Sequence, residues 1–219
     1  MWANWKNYVL ETEDKSNIRI ILLLTSWGTG SSAVAGFLDK CGCYSCPPHF
    51  METKDPKTPN TYEPSVYRGI LSSTIDEATF QQKSPMTIFS RKFSKFLDLE
   101  RRKALENKKQ VIVLKHPLQS FLLPEIEMIA SPKYLILTRP YSLIEKTRRR
   151  RRWPPEYGYE GAKLIYEKIF AFAQNFNKDA PIIPFQRFRE DREFREKILN
   201  YIEISPSIEQ LKDAENFLQ

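Results

Sequence analysis

Residues 17–39 read NIRIILLLTSWGTGSSAVAGFLD: an aliphatic run, a glycine-containing turn and the start of a helix. Residues 20–24 are apolar at every position, the pattern of a strand covered on both faces. Arg19 precedes them and is placed at the exposed start of that strand. Gly28 and Gly30 let the backbone turn sharply and come close to a ligand. Ser31 or Ser32 is expected to cap the helix that follows, whose buried stripe is Val34, Phe37, Leu38 and Cys41. A strand, a Gly/Ser/Thr turn and a helix N-terminus aim free N–H groups at one point, and phosphate or sulfate suits that point.

Three further strands are expected at residues 110–115 (QVIVLK), 133–138 (KYLILT) and 180–185 (APIIPF). Helical patterns lie between them at 88–107, 121–130, 142–152 and 161–176, and two more follow at 190–202 and 207–217. Trp153-Pro154-Pro155 must end the helix before it. Strands separated by helices predict an α/β fold with an open, mostly parallel central sheet flanked by helices. Length fits a single domain spanning 1–219. Residues 47–73 are rich in Pro, Thr, Ser and Tyr without a period, and are expected to form an irregular loop on the substrate side. Tyr62 and Tyr67 in that loop, with Trp153, are candidates for shaping an aromatic or sugar-sized pocket.

The chain carries a formal net charge of +7, and the stretch from Arg139 to Trp153 holds +6 of it, with seven basic residues against one acid. The rest is close to neutral, which does not match a uniformly basic nucleic-acid binder. The arginines at 148–152 are a solvated helix face, a funnel for an anionic ligand, or an RNA contact; apart from Trp153 the aromatics of a base-stacking platform are missing. No apolar stretch approaches the length of a membrane span. The beginning, MWANWKNYVLETEDK, lacks the basic-then-apolar order of a secretory signal, so a cytoplasmic protein without membrane association is expected. Cys41, Cys43, Cys46 and His49 cluster as CGCYSCPPH, but not as two separated ligand pairs; small apolar residues plus a turn is the reading taken, with no metal.

Chemistry concentrates at strand ends. Lys115-His116-Pro117 follows the second strand, where an imidazole could accept a proton near neutral pH and a lysine neutralise developing negative charge. Arg139 follows the third strand, and Thr147 lies eight residues on, about two helical turns into the next element, so the two could grip a phosphate from two sides.

In this order and spacing the three sites resemble the sulfotransferases that use 3′-phosphoadenosine 5′-phosphosulfate (PAPS). Gly28, Thr29, Gly30, Ser31 and Ser32 are similar to the family loop that holds the 5′-phosphosulfate. Lys115-His116-Pro117 resembles the segment that supplies a catalytic base in the members with histidine there. Arg139 and Thr147 resemble the Arg and Ser of the 3′-phosphate motif, and PIIPFQRFREDREFREKILNYIEI the last strand and helix. The likeness spans about residues 17–204, and the ordered set carries it rather than any one motif. It departs from the family in having Gly28 where the loop is basic, Arg139-Pro140 for Arg-x-Pro, Thr147 for serine, and no late basic, glycine-containing segment. The resemblance implies a P-loop-like sulfotransferase architecture and transfer of a sulfuryl group from PAPS to a hydroxyl or amine on a small-molecule or carbohydrate acceptor. His116 and Lys115 would be catalytic, and the loop, Arg139 and Thr147 would hold the donor. The alternatives are a P-loop nucleotide kinase or NTPase, for which the loop lacks the lysine of GxxxxGK[ST], and a catalytically impaired nucleotide-binding relative.

Overall fold

The computed structural model describes residues 18–51, 58 and 60–218. The N-terminal segment read above for export signals, and residues 52–57 and 59 of the expected loop, lie outside the described residues. Four strands form one sheet: β1 (Arg19–Leu24), β2 (Val111–Lys115), β3 (Lys133–Thr138) and β4 (Ile182–Pro184), all parallel, in the order β2-β1-β3-β4. Around them lie α1 (Ser31–Lys40), α2 (Ser65–Thr74), α3 (Met86–Glu106), α4 (Leu123–Ala130), α5 (Tyr141–Arg151), α6 (Tyr159–Asn175), α7 (Phe185–Glu190), α8 (Arg192–Tyr201) and α9 (Ile208–Leu218). This is the expected α/β class.

The unbroken apolar run of β1 has a direct cause. Ile20, Leu22 and Leu24 point into one core with residues of α2, α3, α4 and α6, while Ile21 and Leu23 point into a second core with residues of α1, α8 and α9. Both faces are covered, so no position of the strand is left for a polar side chain. At the strand's start Arg19 pairs with Glu203 and is only partly exposed.

Strand order sets the place of the site. The chain leaves β1 for β2 on one side, then crosses to β3 on the other. That reversal makes a crevice at the carboxyl ends of β1 and β3, where ligands of open α/β sheets bind. Leu23 is in register with Lys115, and Leu24 with Ile136, so the turn after β1, Lys115-His116 and Arg139 all fall on one edge.

Several expectations need correction. The loop at 47–73 contains α2. Tyr67, Ile70, Leu71 and Thr74 recur at helical spacing and are buried, but Ser, Thr and Gly69 between them dilute the period, and Pro64 takes the N-cap position. Tyr67 is a core residue stacked on Phe96, its hydroxyl donating to Gln119 Oε1 at 3.1 Å, so it lines no pocket. Tyr62 packs against Phe217 and His49. The helix expected at 190–202 is α8, begun by Asp191, which accepts from the Phe194 N–H at 2.9 Å; the short α7 before it was not expected. The helix expected from 121 begins at Leu123, after a 3₁₀ turn at Pro117–Phe121.

Candidate active site

The turn after β1 is built from inside. The Thr29 side chain is fully buried, its hydroxyl on that of Thr25 and 3.0 Å from the Ser26 carbonyl oxygen. Thr29 therefore braces the turn and offers no side-chain donor to a ligand. Gly28 and Gly30 both have positive φ, +75° and +94°. A Cβ on Gly30 would lie 2.4 Å from the Phe185 ring, so this position needs glycine twice over. The N-cap of α1 is Gly30 in the left-handed region, without a side-chain cap, instead of Ser31 or Ser32. The tightness of the turn carries both serines into the helix. Among the described residues, the N–H groups of Gly28, Gly30, Ser31 and Ser32 make no backbone hydrogen bond, while the Thr29 N–H closes the turn onto Ser26. Four unspent donors around the start of a ten-residue helix form an anion cradle.

A cation flanks each end of that cradle. At one end, Arg139 Nη1 donates to Gly28 O at 2.8 Å and to Thr147 Oγ1 at 3.3 Å, spanning the crevice between β1 and β3. Burial, then the charges of Arg189 and Arg150, hold the Arg139 guanidinium below its usual value. At the other end, Lys115 Nζ donates to Ser32 Oγ at 3.4 Å, to Thr61 O at 2.8 Å and to Glu63 Oε1 at 2.8 Å. All three donors of its ammonium are spent, and the residue is 2% exposed.

His116 is 1% exposed. Its Nδ1 accepts from the Leu118 N–H at 3.2 Å, so the neutral ring carries its proton on Nε2, which lies 3.9 Å from Glu63 Oε2. Burial pushes the imidazole down to about 4, against the upward pull of Glu63 and Glu77. Burial pushes the Glu63 carboxyl up, but Lys115, His116 and Arg68 outweigh it and hold the group below the usual carboxylate range. Glu63 thus stays ionised beside a neutral imidazole. Sequence reasoning missed it: it sits ten residues before the end of a region read as loop, and only the return of Thr61 and Glu63 to the sheet edge brings it to Lys115.

Trp27 was missed too, although it adjoins Gly28. It stacks on Tyr157 at 4.2 Å and on Phe80 at 6.0 Å, and meets His116 edge-to-face at 6.3 Å, all between ring centroids. The Tyr157 hydroxyl donates to Glu77 at 2.5 Å, and Trp153 meets Tyr157 edge-on. These rings, rather than Tyr62 and Tyr67, lie beside the site.

The arginine run is largely tied down. Arg148 holds Glu145 and the Trp153 carbonyl, Arg149 also reaches Glu145, and Arg151 lies over the Trp153 ring and donates to Thr58. The three thiols are buried, which pushes each of them up, away from the thiolate a metal needs. His49 bonds Ser45 and Asn60. Among the described residues no group of three or more His, Cys, Asp and Glu is arranged to hold a metal ion, and no helix is long and apolar enough to cross a membrane.

No protein-family model matches the chain, and no curated protein matches it either. Among solved structures, it is similar to the crystal structure of sulfotransferase STF1 from Mycobacterium tuberculosis H37Rv, with a TM-score of 0.58 and 15% identity over 97% of this chain and 74% of that one. At that identity the likeness is one of fold: the chain has a sulfotransferase-like α/β fold.

Proposed function

We propose that the protein transfers a sulfuryl group from PAPS to a hydroxyl or amine acceptor. One observation carries the reading. Four N–H groups without backbone partners, at Gly28, Gly30, Ser31 and Ser32, lie between two fixed cations, Arg139 at Gly28 and Lys115 at Ser32. That donor set fits an anion of the phosphate or sulfate type. When bound, PAPS supplies the sulfuryl group and a phosphate leaving group.

In this reading the cradle and the N-terminus of α1 hold the charge that develops around the transferring group. Lys115 touches both the cradle, through Ser32, and the proton-accepting side, through Glu63, and so takes the place of the cation absent at Gly28. Arg139 and Thr147 hold the 3′-phosphate. The acceptor's proton goes to the Glu63–His116 pair: the imidazole is neutral at physiological pH, and Glu63 Oε2, not engaged by Lys115, offers the open lone pairs. Group transfer of this kind draws most of its acceleration from positioning and electrostatics, which rigid, buried partners supply. A small molecule or a carbohydrate is the acceptor class we assign.

Sulfonation of an acceptor panel with radiolabelled PAPS, beside calorimetry with 3′,5′-diphosphoadenosine, tests the reading. Tight binding with turnover supports it; absence of nucleotide binding overturns it. A nucleotide-binding relative without turnover is the second reading, favoured by the fully satisfied ammonium of Lys115. It predicts binding without transfer to any acceptor.

A further inference from the structure

One stripe of α1 runs from the anion cradle to α9. Ser32, Gly36 and Lys40 are four residues apart and share a face of the helix. Ser32 Oγ accepts from Lys115 Nζ at 3.4 Å. One turn on, two rings lie against the bare backbone of Gly36: a Cβ there would fall 2.4 Å from Phe217 and 2.8 Å from Tyr62. Glycine inside a helix is unfavourable relative to alanine, and here the two rings require it. At the last turn Lys40 pairs with Asp213 of α9 at 2.7 Å and lies over the Phe217 ring at 5.6 Å. The rings of Phe217 and Tyr62 meet edge to face, 5.9 Å between centroids.

Tyr62 stands between the two residues that hold Lys115, whose ammonium donates to Thr61 O and to Glu63 Oε1, each at 2.8 Å. Residues 60–63 belong to no helix or strand. Their other ties run to His49 and Phe50, including the Phe50 N–H to Glu63 O at 2.8 Å, so the Tyr62 ring is the segment's anchor on α1 itself. Tyr62 also has φ +53°. A residue with a side chain keeps that left-handed conformation only where its surroundings over-determine it. We propose that Phe217 clamps Tyr62 onto Gly36 and thereby positions Glu63 beside Lys115 and His116, so that α9 governs turnover without touching a reacting group. The effect on turnover rests on the transfer reading above; the clamp itself does not. The donor grip is spared, because Arg139 reaches Gly28 and Thr147 from β3 and α5.

Residue-resolved hydrogen exchange on the full chain, beside steady-state sulfonation, tests the clamp. Phe217→Ala and Tyr62→Ala should each speed exchange at Phe50, Tyr62 and Glu63 about 10-fold or more and leave β1 within about 2-fold, the mark of local rather than global opening. Both should lower kcat roughly 10- to 100-fold, the scale of a small misplacement of a reacting group, with KM for PAPS held within about 2-fold. Tyr62→Phe keeps the ring and should match wild type. Leu211→Ala trims α9 against the same core but leaves both rings, and should lower the melting midpoint without opening the segment. If Phe217→Ala does not fold, Phe217→Leu decides on the same readouts. Unchanged exchange at residues 60–63, acceleration shared equally by β1, or equal opening by Leu211→Ala overturns the clamp. Local opening in a protein whose wild type transfers no sulfuryl group keeps the positioning of Glu63 and removes the transfer reading. Wild-type turnover that survives Phe217→Ala unchanged overturns the role of α9 and leaves the transfer reading intact.

Discussion

The Glu63–Lys115 pair joins the two halves of the site, and removing one partner should be costly. Their side chains are 11% and 3% exposed and meet at 2.8 Å. Breaking a buried pair by deleting one member leaves the other charge uncompensated, at ~3–5 kcal/mol. In Glu63→Gln the ammonium keeps Thr61 O at 2.8 Å, which places this variant near the low end, about 3 kcal/mol. Lys115→Met strands a carboxylate beside a neutral imidazole, with no other cation in an ion pair with it among the described residues, and should cost about 4 kcal/mol. For a domain with ~5–15 kcal/mol in all, either change moves the unfolding midpoint visibly. The double variant Glu63→Gln/Lys115→Met removes both charges at nearly constant volume and should recover to within about 1–2 kcal/mol of wild type. Urea unfolding at pH 7, followed by circular dichroism, gives all four corners of the cycle. A coupling of at least ~2 kcal/mol is expected, because the residues touch. Additive effects, or single variants each costing under ~1 kcal/mol, would refute the view that this pair is held dry. If the double variant is stable but transfers no sulfuryl group, the pair is retained for chemistry rather than for folding.

Further outcomes follow from the same geometry. The folded His116 resists protonation down to about 4 while the unfolded residue titrates near 6.5, so below pH 6.5 the unfolded state binds the extra proton. Stability should fall by on the order of 3 kcal/mol between pH 6.5 and 4, and His116→Gln should flatten that stretch of a urea-midpoint-against-pH curve. Glu63, depressed in the fold, contributes above its unfolded value of 4.5 and loses that contribution only at lower pH, so Glu63→Gln should change the curve in a different window. Gly30→Ala should cost ~1–2 kcal/mol for the left-handed backbone alone, plus displacement of Phe185; Phe185→Leu in the same chain should recover the second part, as thermal melting would show. Arg139→Ala should weaken 3′,5′-diphosphoadenosine by ~1.5–3 kcal/mol in calorimetry, and indifference would separate Arg139 from the ligand. His116→Ala and Glu63→Gln should each lower sulfonation by ~10²–10⁴; an unchanged rate in either removes that residue from proton transfer.

The sequence was most legible where one local rule sufficed. A strand covered on both faces has no choice but to be apolar throughout, and two glycines between it and a helix specify a turn of positive φ, so β1, the cradle and α1 were readable from residues 17–39. The parallel sheet followed from alternation of strands and helices. Where the signal failed, composition hid geometry. Serines and threonines in α2 masked a helical period, and Tyr67 looked like a pocket residue because aromatic character says nothing about which way a ring faces. Thr29 reads as a ligand contact, yet its hydroxyl is spent on Thr25 and Ser26.

What the sequence determined alone was therefore the list of strand ends and the residue types standing at them. Which of those ends meet was decided by the tertiary structure. Strand order puts Gly28 and Arg139 across one crevice, 2.8 Å apart from carbonyl oxygen to guanidinium, although 111 residues separate them. Glu63 acquires a role only because the chain after α1 returns to the sheet edge, 52 residues from the lysine it pairs with. Local pattern depends on neighbours along the chain, whereas charge pairing and burial depend on neighbours in space, and no period in a sequence encodes the second set.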